Sequence, residues 1–156
     1  MARRLCSIEI SIEGAEKIDL IDVYDFHLLE SPARVLAPIR EYETVSFPEH
    51  AESEIDNRTV EQPFDYQISL GCWADENTVN ANIRAFYNSL FVKESEDTDV
   101  LVAREIELFN NYKNVKMKGY AKKWDEKTYT IQGEKGLLMF DFVLHVNNPL
   151  SLSDIR

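Results

Sequence analysis

The chain reads as a mainly β, α+β domain: an antiparallel β-sandwich or open barrel of about 7–8 strands with one flanking helix at about residues 76–91. Three observations lead there. Val79, Ile83, Phe86, Tyr87 and Leu90 recur at i, i+4, i+7, i+8 and i+11, one stripe of a 3.6-residue helix. Residues 64–73 alternate strictly, with Phe64, Tyr66, Ile68, Leu70 and Cys72 set against Asp65, Gln67, Ser69, Gly71 and Trp73. That is the period of a half-buried strand. The second half is a run of extended stretches divided by turn residues. A helix over residues 76–91 is about 24 Å long and marginal alone in water. No other stretch is as helical, so the stripe is covered by sheet.

Taken in order, residues 5–13 form a first strand. Cys6, Ile8, Ile10 and Ile12 point one way and Ser7, Glu9, Ser11 and Glu13 the other. Gly14-Ala15-Glu16 is a turn. Residues 18–29 are rich in β-branched and aromatic side chains (Ile21, Val23, Tyr24, Phe26), which suits a strand with a bend. Pro32 and Pro38 bracket a loop or edge strand at 34–37, and a short strand of uncertain facing follows around Tyr42, Thr44 and Ser46. Residues 48–62 are acidic and lack apolar periodicity: a projecting polar arm, as a long loop or a hairpin tip. Asp75 or Asn77 can cap the helix. Beyond it the expected strands are 100–109, 114–124, 128–132 and 137–146. Asn110-Asn111, Asp125-Glu126 and residues 133–136 separate them. Asn147-Asn148-Pro149 ends the last strand, and residues 150–156 are a short tail. With no repeat and no linker, residues 1–156 are one domain.

A chain of 156 residues with 44% hydrophobic side chains can bury a real core and is not disordered. Its 28 acidic and 17 basic residues leave a net charge of −11, which opposes nonspecific nucleic-acid binding and adhesion to anionic membranes. The basic start is followed by alternation instead of an apolar stretch, so there is no signal peptide, and no run reaches transmembrane length. The sequon Asn57-Arg58-Thr59 then carries no meaning. Cys6 and Cys72 lie on apolar strand faces and read as buried free thiols, with a disulfide as the alternative.

The search for chemistry returns no site. Nucleotide-binding, nucleophile-elbow and zinc-protease motifs are missing, and His27, His50 and His145 have no partner at metal-ligand spacing. Asp19, Asp22 and Asp25, three apart, would share a helix face and hold a hard cation; on a bent strand they are solvated carboxylates, the preferred reading. Glu94, Glu96, Asp97 and Asp99 lack the glycine and register of a calcium loop and read as a solvated acidic loop. Lys116, Lys118, Lys122 and Lys123 with Tyr120 and Trp124 have the composition of an RNA-binding strand face. Against the net charge they read as an ordinary solvated face. The chain is read as a non-enzyme with no catalytic, cofactor-binding or metal-binding residues and no cofactor.

The order of parts carries a resemblance. A strand-rich beginning leads through the arm to "PFDYQISLGCW", the helix "ENTVNANIRAFYNSLF", the segment "NNYKNVKMKGYAKKW" and the closing strand "LLMFDFVLHVNNP". From about Ile18 to Pro149 this resembles the ring- and tube-forming proteins of long-tailed phages, especially the N-terminal domain of distal tail proteins. The resemblance implies a phage or prophage structural protein assembled as a ring, commonly a hexamer, joining tail tube to baseplate. It implies self-association, contacts with neighbouring tail or baseplate proteins, and no specific nucleic-acid or membrane binding. The expected location is the bacterial host cytoplasm during assembly and then the virion tail. Many such proteins carry a further carbohydrate-binding-like domain; the chain ends at Arg156, which puts receptor binding by that module in doubt. Tube protein and distal ring protein stay equally open. The alternative is a monomeric β-barrel with an apolar interior for a small ligand, suggested by the 11% aromatic content and the single helix.

Overall fold

The computed structural model describes residues 7–32, 36–40, 44–46, 53–55 and 58–156. Cys6, His50, Asn57 and residues 48–52 and 56–57 of the arm lie outside them. Eight strands make one antiparallel sheet. Its path runs β2 (Ile18–Asp19), β1 (Ile8–Ile12), β9 (Glu105–Asn110), β10 (Val115–Gln132), β11 (Lys135–Val146), β6 (Phe64–Asp75) and β3 (Phe26–Glu30), with β12 (Ser153–Asp154) on β10. Two small hairpins stand apart from it: β4 (Thr44–Ser46) with β5 (Ser53–Ile55), and β7 (Phe91–Lys93) with β8 (Leu101–Ala103).

β10 turns one half of the sheet into the other. Its first part pairs with β9 from Val115 to Tyr120; its second pairs with β11 from Tyr120 to Gln132. The two expected strands at 114–124 and 128–132 are thus one strand. Asp125-Glu126 is not a turn: register shifts at 121/123 and 126/128 absorb the irregularity, and such bulges bend a strand and raise its twist. At the bend, a Cβ on Gly119 would stand 2.1 Å from the His145 carbonyl oxygen, so only glycine lets the two backbones approach. The inward side chains of both halves meet in one core: Ile8, Ile10, Ile106 and Leu108 from one, Tyr66, Leu70, Phe140 and Phe142 from the other. Asn110 Nδ2 donates to Tyr66 Oη across that core at 2.8 Å.

The sheet does not close into a barrel. Its edge strands β2 and β3 are joined instead by α1 (Leu20–Tyr24), one helical turn inside the stretch expected to be a bent strand. Asp19 caps it by accepting from Ile21 N at 2.8 Å, and Asp25 ends it with φ of 57°. Those aspartates therefore serve the helix ends. Between β1 and β2, Ala15 N donates to the Ile12 carbonyl at 2.9 Å, and Glu13 (φ 50°) and Gly14 (φ 78°) at the centre of that turn are both at positive φ.

α2 (Glu76–Leu90) is the expected helix, capped by Asp75, whose side chain accepts from Thr78 N. It lies on the β6–β11 face and buries Val79, Phe86 and Leu90, while Tyr87 is 41% exposed. Asn82 replaces an apolar contact with a tie, donating to the Tyr24 carbonyl at 2.9 Å and fastening α2 to α1. The expected 100–109 strand is broken: β8 belongs to the hairpin with β7, and Arg104 N bonds back to the Leu90 carbonyl before β9 begins.

Candidate assembly surfaces

The outer face of β10, β11 and β6 is an ionic ladder. Asp65 accepts from His145 Nδ1 at 2.8 Å and pairs with Lys122 Nζ at 2.7 Å. Lys122 first and then His145 hold its carboxyl below the usual range. Asp141 accepts from Ser69 Oγ at 2.7 Å and pairs with Lys127 at 3.5 Å, and Lys123 and Lys127 both approach Asp125. Lys118 faces Glu107 at 3.7 Å. The basic-aromatic run is thus interleaved with carboxylates, and Trp124 turns inward to stack on Phe140 at 4.5 Å and 10°. It is a cross-strand charge pattern, not an open cationic face.

The other candidate groups separate in space. Cys72 is fully buried, donates to the Tyr24 carbonyl, and is pushed up to about 11, first by burial and then by the charge of Asp25. His27 bonds Asp25. Glu94, Glu96, Asp97 and Asp99 are exposed in the β7–β8 loop. Among the described residues no group of three or more His, Cys, Asp or Glu side chains can hold a metal, and no helix is long and apolar enough to cross a membrane.

What remains are surfaces. Between α2 and β10 runs an open groove of two adjoining cavities, about 520 and 510 Å³, which share Ile83, Arg84 and Glu126. Tyr129 and Leu138 floor one end, Tyr87 and Trp124 the other. Alongside the groove β10 outruns β9: on the side where β9 pairs up to Tyr120, residues 121–132 have no partner strand among the described residues. Strand periodicity alone did not reveal this edge, because it shows which face is buried and not which neighbour stops short. The β7–β8 hairpin exposes Val100, Leu101 and Val102 beside its acidic loop.

The described residues form a partly open antiparallel β-fold with one long flanking helix and open surface grooves. No family model and no curated protein matches the chain. Among solved structures it is similar to the Dit (gp 19.1) protein of phage SPP1, described as a paradigm of the hub adsorption apparatus in phages infecting Gram-positive bacteria. The TM-score is 0.52 at 14% identity, over 91% of this chain and 50% of that one. The expected resemblance to distal tail proteins therefore holds at the level of the fold, and the chain spans about half the length of that protein.

Proposed function

We propose that this chain is a non-enzymatic structural subunit of a phage or prophage tail that assembles into a ring, a hexamer, joining tail tube and baseplate. The observation that carries the proposal is the fold shared with SPP1 Dit along 91% of the chain. Two further features support it. The described surface offers grooves, an open strand edge and hairpins instead of a buried constellation of reactive groups. The net charge of −11 suits a wall past which DNA must slide without sticking. Its partners are copies of itself and neighbouring tail or baseplate proteins. Its location is the host cytoplasm during assembly and then the virion tail.

The arm belongs to this reading. β4 and β5 pair with each other, Ile39 bridges Glu61, and neither pairing joins a further strand among the described residues. We assign the 48–62 arm the role of lying across the neighbouring subunit. The ligand-binding alternative loses support from the core, where Phe26, Phe86, Phe140, Phe142 and Tyr66 fill the interior of a sheet that does not close. Light scattering with negative-stain microscopy tests the proposal. Rings are expected at micromolar concentration; a monomer throughout, at concentrations up to the solubility limit, overturns it.

A further inference from the structure

We infer that the free edge of β10 at Thr128–Gln132 pairs antiparallel with the same edge of a second copy of this chain, across a two-fold axis at Thr130. The contact goes beyond the ring reading: like surfaces meet and the pairing stops at two, so it neither forms nor needs the contact that closes a ring.

The main chain is the first ground. Hydrogen-bonded and non-hydrogen-bonded pairs alternate along an antiparallel ladder. Gln132 and Lys135 flank the two-residue turn Gly133-Glu134, so they form a hydrogen-bonded pair, and so do Thr130 with Leu137 and Thr128 with Met139. The N–H and C=O groups of Tyr129 and Ile131 therefore point away from β11, where no strand meets them among the described residues. Such an edge invites pairing unless bulges or charges blunt it. From 121 to 127 β10 has two register shifts and three lysines. From Thr128 to Gln132 it is uncharged, in unbroken register with β11, and rich in strand-forming residues. The Tyr129 ring leaves the edge open, because it leans over Gly136 of β11, where an added Cβ would stand 2.7 Å from its hydroxyl.

The second ground selects the occupant, since the five residues complement themselves. With the axis at Thr130, Tyr129 of each copy faces Ile131 of the other, Thr128 faces Gln132, and Thr130 faces itself. Tyr129 and Ile131 are the residues with free main-chain groups, so each of these two pairs exchanges two bonds. Aromatic with β-branched and threonine with threonine are favourable cross-strand pairs, and no charge lies within the run. An axis at Tyr129 would set Lys127, beside a register shift, against Ile131; one at Ile131 would set Tyr129 against the turn at Gly133. Only the axis at Thr130 uses the whole run. The pairing also covers Tyr129 and Ile131, which are 45% and 54% exposed.

Space permits it. α2 lies over β6 and β11, so in the joined sheet four strand spacings, about 19 Å, separate the two copies of α2. That exceeds the 10–12 Å or so that a helix with its side chains occupies.

Cysteine substitution tests the register. Facing itself in a non-hydrogen-bonded pair, residue 130 has Cα atoms about 4.5 Å apart, within reach of a disulfide. Residues 128 and 132 each lie about 14 Å from their own copies, out of reach. Mild oxidation with glutathione disulfide at about 0.1 M salt keeps general repulsion screened. Thr130→Cys should then give at least about tenfold more covalent dimer than Thr128→Cys or Gln132→Cys alone, linked 130 to 130 by peptide mass. Mixing those two variants should give a 128-to-132 link. Equal yields from all three, or no link at 130 above the wild-type background, overturn the pairing. Hydrogen exchange reads the same contact without substitution: the amides of Tyr129 and Ile131 should slow at least about tenfold on association. Amides already slow in the dilute monomer, or unchanged on association, overturn it. Sedimentation keeps the two readings apart. Rings without the 130 link overturn the edge contact and leave the ring; linked dimers without rings overturn the ring and leave the edge contact.

Discussion

Phe86→Ala is the sharpest probe of how the helix is held. The ring is 1% exposed and lies among four others: Tyr24 at 5.2 Å, Phe26 at 5.3 Å, Trp124 at 5.3 Å and Phe142 at 5.8 Å between centroids. These come from α1, β3, β10 and β11, so one side chain joins four elements to α2. Losing its burial costs about 2–3 kcal/mol of transfer free energy. The walls are themselves rings on separate strands and collapse poorly. A residual void of about 50–100 Å³ at about 24 cal/mol per Å³ adds about 1–2.4 kcal/mol. The sum, about 3–5 kcal/mol, is a large part of the stability of a domain this size. It corresponds to a fall in Tm of about 6–20 °C. Arg84→Ala, on the exposed side of α2, should cost under about 0.5 kcal/mol. Urea unfolding followed by tryptophan fluorescence, at a concentration below assembly, measures both. Equal midpoints would refute the picture of α2 pinned to the sheet through Phe86.

Three other outcomes follow from particular sites. Gly119→Ala should destabilise by about 3 kcal/mol or more, since its Cβ would meet the backbone of His145 and not a flexible side chain; a change under about 1 kcal/mol in thermal unfolding would show that the two strands can part there. Cys72 should resist alkylation in the native protein at pH 8 and react after denaturation, read by peptide mass. Its protonated form is favoured by folding, so its contribution to stability is complete below pH 9 and declines as pH rises toward 11; a native protein alkylated within minutes would contradict this burial. Deleting residues 49–61 should leave monomer Tm nearly unchanged while abolishing assembly. Rings formed by the deletion variant at the wild-type concentration would reduce the arm to an ordinary loop.

Much of the fold was legible because its strands are half-buried and its one long helix is amphipathic. The inward residues of β6 and the stripe Val79, Phe86 and Leu90 are buried as their periods require. The departures share a cause: local pattern does not report tertiary closure. α1 exists because the chain must cross from one sheet edge to the other in a few residues, and strand-forming side chains such as Ile21 and Val23 yield to that demand. Asp125-Glu126 has turn chemistry, yet pairing with β11 on through Gln132 holds the strand together and converts the irregularity into bulges. Gly119 was readable as a strand glycine of the kind that marks close backbone approach, although which backbone comes close is set by the bend. Of the candidate surfaces, the acidic loop and the arm stand out in composition. The open edge at Thr128–Gln132 does not, because it arises from β9 ending early.

The salt dependence of assembly separates the general charge of the chain from ion pairs formed at an interface. A domain of this size has a radius of about 19 Å, so neighbouring centres lie about 38 Å apart. Two bodies of net charge −11 then repel by about 13 kcal/mol in unscreened water. With a Debye length of about 30 Å at 0.01 M, roughly 4 kcal/mol of this survives; at 0.1 M, with a length of about 10 Å, less than about 0.5 kcal/mol does. The opposing attraction from a few exposed ion pairs across an interface is worth about 1 kcal/mol. General repulsion therefore wins at low salt. Raising salt from 0.01 to 0.1 M should strengthen assembly by two orders of magnitude or more, the reverse of a complex held by opposite charges. Sedimentation across that range measures it. Rings that form at 0.01 M and dissolve at 0.1 M would mean that ion pairs dominate the interface.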